Sequence, residues 1–286
     1  MYQAHSIGVT EAVESMAKVK PDGCVVLIGD RNMPNLRMQN HLVREDCGSI
    51  LNWFYNSDRY PEYYKDTNSC VARNPVCFGY DPQIFNIFND TFYDGKLVNI
   101  ESYPTKPRIV AQLSPVTFKP VNGCVYMQGC SPFNEKEAET CLEMVKQLVE
   151  AGVQQEHIGV LTTYCAQKRL ISKKLHDSYT KVLVGIPLDL ENKVRDILIV
   201  SVVESAKRTR GGKRYPYNDL LYDKLCLNLA LTRATSRFII VGDKEVLNEQ
   251  PHWRQLLVWS HNDAQEVRKV RAPRSRAPRI SGVQSE

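Results

Sequence analysis

Leu227-Asn228-Leu229-Ala230-Leu231-Thr232-Arg233-Ala234, running on to Arg237-Phe238-Ile239-Ile240-Val241-Gly242-Asp243, is the stretch that decides the fold. A helix ending in Ala-Leu-Thr-Arg-Ala passes into an apolar strand closed by Gly-Asp. Outward from this unit, apolar β-rich runs alternate with segments of helical period. That is the pattern of a parallel sheet covered on both faces, hence an α/β fold. The candidate strands are Cys24–Ile28, Cys124–Met127, Ile158–Thr163, Lys181–Gly185, Ile197–Val203 and Phe238–Val241.

The helices between them carry their own start and stop signals. Asn134, followed three positions later by Glu137, has the form of a capping box. Ala138, Cys141, Leu142, Val145, Leu148 and Val149 then fall at helical spacing, and Gly152 supplies the stop. Asp81-Pro82 opens another helix over Ile84, Phe85, Phe88 and Phe92, closed by Gly95. Thr10, Ala12, Val13 and Met16 outline a short first helix. The stretch 34–75 contains Trp53, Tyr55, Tyr60, Tyr63 and Tyr64 with little periodicity, and reads as an irregular connector with one helix near Ser49–Tyr55.

Composition sets outer bounds. The 286 residues can bury a substantial core, and 43% hydrophobic with 24% charged residues is ordinary for a globular protein. No apolar run approaches the roughly 20 residues of a membrane span, and no membrane partner is expected. The nine cysteines form no C-x-x-C pair, which suits reduced thiols in the cytoplasm or nucleus. The net charge of +5 is concentrated at the C-terminus, where from Ala264 onward Arg268, Lys269, Arg271, Arg274, Arg276 and Arg279 face only Glu266 and Glu286. The tail 263–286 is therefore expected to be disordered and basic, either simply solvated or an arm for a nucleic-acid backbone. The six histidines show no metal-ligand spacing, and no Gly-x-Ser-x-Gly elbow occurs.

The segment Ala230-Leu231-Thr232-Arg233-Ala234 with its following strand resembles motif VI of superfamily 1 helicases, in the up-frameshift and senataxin-like group. Four further segments are similar to that family in the same order. They are Val25-Val26-Leu27-Ile28-Gly29-Asp30 (motif III), Phe92-Tyr93-Asp94-Gly95-Lys96-Leu97, the run from Asn134 to Gln167 (motif IV), and Asp196–Ser201 (motif V). The resemblance implies a RecA-like parallel sheet flanked by helices, the second lobe of a P-loop NTPase-type motor. It implies a remnant of the first lobe at 1–33, the connector at 34–75, the second lobe at 76–262 and the tail at 263–286. It also implies roles: Arg233 as γ-phosphate sensor; Gly29, Asp30, Phe78 and Asp196 toward the nucleotide; Thr163, Tyr164 and Gln167 toward nucleic acid.

Other family features are replaced. A phosphate-binding loop needs Gly-Lys-Ser/Thr at a helix N-terminus, and Gly211-Gly212-Lys213-Arg214 lacks the hydroxyl residue and the preceding strand. No Asp-Glu dipeptide exists to hold Mg²⁺ and orient water. Met33 stands in place of a glutamine, Gly79 of an arginine, Asn192 of a glycine and Val194 of an acid. The resemblance thus implies ATP and Mg²⁺ for the family and no cofactor for this chain alone. Three readings follow: a nucleic-acid-binding lobe for single-stranded RNA or DNA without its own ATP hydrolysis; half of a motor completed by a first-lobe polypeptide; or a scaffold in an RNA-processing complex. Each site residue also has a plain structural reading. Asp196 can cap a neighbouring helix, Tyr164 and Gln167 can join a strand to a helix, Arg233 can meet a helix C-terminal dipole, and Phe78 can be packing.

Overall fold

The computed structural model describes residues 1–35, 49–56, 74–100, 114–205 and 218–270. The basic glycine stretch 207–214, Tyr60, Tyr63 and Tyr64, and the tail from 271 lie outside the described residues.

The centre is a five-stranded, all-parallel sheet. Its strands are β3 (Val116–Pro120), β6 (Ile158–Thr162), β7 (Leu183–Gly185), β8 (Arg195–Ser201) and β9 (Ala234–Gly242), in the order β3-β9-β8-β6-β7. Ile197 to Val200 and Phe238 to Val241 are completely buried, as strands covered on both faces must be. One face packs on α4 (Glu135–Glu150) and α5 (Cys165–Leu175), through Ala138, Cys141, Val145, Ile171, Ile197, Ile199 and Ile239. The other packs on α3 (Pro82–Phe92), α8 (Lys224–Thr232) and α10 (Pro251–Val270), through Phe88, Leu198, Val200, Leu231, Phe238 and Trp253. This is the RecA-like architecture.

Local chemistry places the helix ends where the sequence puts them. Asn134 caps α4 by accepting from the Glu137 N–H, and Gly152 adopts φ 92° just past its end. Asp81 caps α3 by accepting from Gln83, with Pro82 at the first turn. Two short helices, α1 (Val9–Met16) and α2 (Ile50–Asn56), pack with Ala4, Ala12 and Ile50 into a separate small core.

Two expectations need correction. Cys24–Ile28 is no strand: only Ile28 makes a bridge, to Tyr2, and Val25, Val26 and Ile28 are exposed. A strand exists through its partners, and here the neighbouring sheet is lacking among the described residues. Cys124–Met127 does not enter the main sheet. β4 (Tyr126–Gln128) pairs antiparallel with β5 (Ser131–Phe133) in a separate hairpin. The place at the sheet edge is taken by β3, hidden from pattern reading by Pro115 and Pro120, which an edge strand tolerates. The last helix, α10, runs to Val270.

Candidate functional site

Arg233 is the C-cap residue of α8, so the helix end and β9 together fix its backbone. Its side chain lines a cavity of about 310 Å³ with Gln3, His5, Gly29, Asp30, Met33, Glu191 and Asn192. The structure therefore brings Gly29, Asp30 and Arg233 to one cavity. Gly29 is needed for close approach: a Cβ there would lie 3.0 Å from both the His5 nitrogen and the Leu51 side chain.

The cavity walls are tied by polar bonds between the first 33 residues and the sheet domain. The Tyr93 hydroxyl donates to Asp30 Oδ2 at 2.6 Å, and Asn228 Nδ2 donates to the Asn32 carbonyl at 2.8 Å and to the Tyr93 oxygen at 3.0 Å. Asn32 Nδ2 donates to the Phe92 carbonyl at 2.8 Å. Across the opening, Ser6 donates to Glu191 at 3.0 Å and Gln3 to Asn192 at 2.9 Å. Burial, reinforced by the Asp30 carboxylate, pushes the Tyr93 hydroxyl far up, so it stays a donor.

Within these walls Arg233 is under-partnered. One terminal nitrogen rests 3.9 Å from the Met33 sulfur, and its buried Nε has no hydrogen-bond partner. Burial lowers its pKa, opposed by Tyr80, Tyr93, Glu191 and Asp30. The Tyr80 hydroxyl donates to the Thr232 carbonyl at 2.8 Å, pinning the residue before it. A guanidinium held at the wall of a cavity suits one phosphate oxygen. Two carboxylates share the cavity, however, and the sequence has no Gly-Lys-Ser/Thr loop to cradle the remaining oxygens. Among the described residues no group of three or more His, Cys, Asp or Glu side chains is placed to hold a metal ion.

The other residues singled out from the sequence lie elsewhere. Phe78, at the end of β1 (Val76–Phe78), is 62% exposed and does not line the cavity. Its partner strand β2 (Val98–Ile100) adds exposed Val98 and Ile100 to the same surface. Asp196 sits at an irregularity between β8 and β9, where His157 Nδ1 lies 2.7 Å from Oδ2 and Thr235 donates to Oδ1 at 3.0 Å. Thr163, Tyr164 and Gln167 gather at the C-terminal edge of β6, where ligands of open α/β sheets bind. Thr163 donates to Asn218 at 3.0 Å. Tyr164 is buried with Val125 and Val203. Gln167 has no exposed surface: its oxygen accepts from the Asn134 N–H, and its nitrogen donates to the Asn134 carbonyl and Ser201.

Sequence reading missed the centre of that edge. Glu137 is completely buried with no cation beside it, and accepts from the Ser201 hydroxyl at 2.8 Å and the Val203 N–H at 3.0 Å. Asn134 donates to its other oxygen at 3.1 Å. Burial pushes its pKa up to about 8, the hydrogen bonds pull it down and Asp243 adds repulsion. Val203 takes φ 57°, a strained conformation for a β-branched residue. The capping-box signal had marked Glu137, but only as a helix-start residue.

With this geometry in place, comparison with known proteins is decisive. The AAA domain family model matches residues 75–245, more than half of the chain. The chain belongs to the superfamily 1 helicases. It is 26% identical over 220 residues to Regulator of nonsense transcripts 1 of Caenorhabditis elegans, covering 68% of this chain and 19% of that protein. It is 29% identical over 182 residues to ATP-dependent helicase upf1 of Schizosaccharomyces pombe, covering 58% and 19%. It is 33% identical over 119 residues to DNA replication ATP-dependent helicase/nuclease DNA2 of Saccharomyces cerevisiae, covering 41% and 7%. This helicase-family chain thus spans less than a fifth of the length of these relatives. ATP, Mg²⁺ and nucleic acid belong to the family's chemistry in general. No helix among the described residues is long and apolar enough to cross a membrane.

Proposed function

We propose that this chain is the second motor lobe of a superfamily 1 helicase, binding the backbone of single-stranded RNA or DNA and not hydrolysing ATP with its own residues. The observation that carries this reading is Arg233. It ends the helix of the family-matched unit and lines the cavity beside Gly29 and Asp30. The Asp30 and Glu191 carboxylates offset part of its burial, and the cavity it lines leaves room for a ligand, which supports a functional purpose beside a helix-dipole role.

The test is fluorescence anisotropy of a labelled single-stranded RNA across a salt series, paired with an ATPase assay. Salt-sensitive binding is expected, with log K falling by about 0.7 per tenfold salt for each phosphate neutralised, and no turnover. ATP hydrolysis lost in Arg233→Ala would overturn the second part. Absence of binding would leave a protein scaffold as the better description.

One observation favours a second reading, half of a motor completed by a first-lobe polypeptide with Arg233 as its arginine finger. Of the apolar face around Ala12, Val13 and Met16, Val13 is exposed while Ala12 is buried, and Val25, Val26 and Ile28 are exposed elsewhere on residues 1–33. Co-expression with a first lobe of this family should then give a complex with RNA-stimulated turnover that Arg233→Ala abolishes. Failure to form that complex rejects the idea.

A further inference from the structure

Away from the Arg233 cavity, the exposed thiols among the described residues are Cys24, Cys124, Cys130 and Cys165. Three of the four are gathered by the fold at one place. Val125 packs with Tyr164, which sets Cys124 and Cys165 at the rim of the same small cluster. The β4–β5 hairpin then delivers Cys130 to the start of α5: the Ser131 hydroxyl accepts from the Ala166 N–H at 2.9 Å. Cys130 and Cys165 are the residues immediately preceding that bonded pair.

The hairpin is anchored at its base by an aromatic pair and beside its turn by the Ser131 bond to α5. Tyr126 and Phe133 stack with ring centroids 5.7 Å apart. At the turn, Gly129 takes φ 62°, and a Cβ added there would meet no atom within 4 Å. A disulfide needs Cα atoms within about 7 Å and a defined torsion. An anchored hairpin with an unobstructed tip can supply that adjustment without disturbing the core. Cys124 is less suited, because it precedes β4 at the opposite end of the hairpin from the tip.

We propose that Cys130 and Cys165 are an oxidisable thiol pair, joined by a peroxide into a disulfide that staples the hairpin tip to the first turn of α5. Attack of one thiolate on hydrogen peroxide breaks the O–O bond and leaves a sulfenic acid plus water. The second thiolate then attacks that sulfur, expelling a second water as the S–S bond forms. Two thiols lose two electrons and two protons in total, and one peroxide is reduced to two waters. The staple would lie beside Thr163 and Tyr164, yet the chemistry does not depend on what that edge binds.

The experiment uses the full chain, treated with graded hydrogen peroxide, alkylated under denaturing conditions and digested without reductant for mass spectrometry. The expected product is the Cys130 peptide joined to the Cys165 peptide, two hydrogens lighter than their sum and reversed by reductant. Cys130→Ser and Cys165→Ser should each abolish it. The oxidised wild-type protein should melt a few degrees higher than the reduced form, a shift missing from both variants. The proposal is overturned if Cys130 and Cys165 remain alkylated at doses that oxidise Cys24, if either pairs elsewhere, or if the cross-link forms without raising Tm.

Discussion

Glu137 carries its carboxyl group into the interior with hydrogen-bond donors and no cation. Its folded-state pKa, raised to about 8, stands well above the roughly 4.3 of an unfolded glutamate. Between those values the folded chain binds a proton that the unfolded chain releases. Its contribution is therefore fully present below about pH 4 and is lost as pH rises through 8. Urea denaturation should show lower stability at pH 8 than at pH 5, and Glu137→Gln should flatten most of that slope. A residual slope is expected from Glu204, also raised by burial. An unchanged slope in the variant would mean that the Ser201 and Val203 hydrogen bonds keep Glu137 ionised throughout. Arg233 offers the complementary case. If its guanidinium serves a ligand, Arg233→Met should fill the same space without a desolvated charge and stabilise the protein by about 1 kcal/mol. A loss of stability of that size would instead make it a structural helix cap.

At the scale of elements, α4 depends on one residue used three ways. Asn134 accepts from the Glu137 N–H, donates to the Glu137 carboxylate, and exchanges two backbone bonds with the Gln167 amide. Asn134→Ala should cost about 1–2 kcal/mol in chemical denaturation, and Asn134→Ser should recover part of that through its hydroxyl cap. Equal losses would show that the cap itself contributes nothing. This helix was legible in the sequence because its signals are local: cap, apolar spacing, terminal glycine. β6, β8 and β9 were legible for a related reason, being short apolar runs buried on both faces. Cys24–Ile28 misled because an apolar run states the need for a neighbouring strand without supplying one. β3 escaped because prolines at an edge erase the pattern. At the site, motif order singled out Gly29, Asp30 and Arg233, which line one cavity. His5 and Glu191 reach the cavity, and Tyr93 reaches Asp30, only through tertiary folding, a signal no local spacing contains.

For the molecule as a whole, α10 decides where the folded body ends. Trp253 is fully buried with its indole N–H 3.3 Å from the Leu220 carbonyl, and Leu256 and Leu257 join the same core. Burying these three side chains is worth roughly 1.5–3 kcal/mol each, a sum comparable with the whole stability of an ordinary domain. A chain ended after Gln250 should therefore fail to melt cooperatively. One ended after Asn262 keeps all three residues and should melt within a few degrees of the full chain, although it removes the last turns of the helix. That second variant isolates the body from Arg268, Lys269 and the four arginines beyond. If single-stranded RNA still binds it, with a shallower salt slope than the full chain, the lobe itself contacts phosphate and the basic segment only adds to it. If binding vanishes while the melt is unchanged, the basic segment supplied all of the affinity, and the exposed face of Phe78, Val98 and Ile100 becomes the surface to test against protein partners.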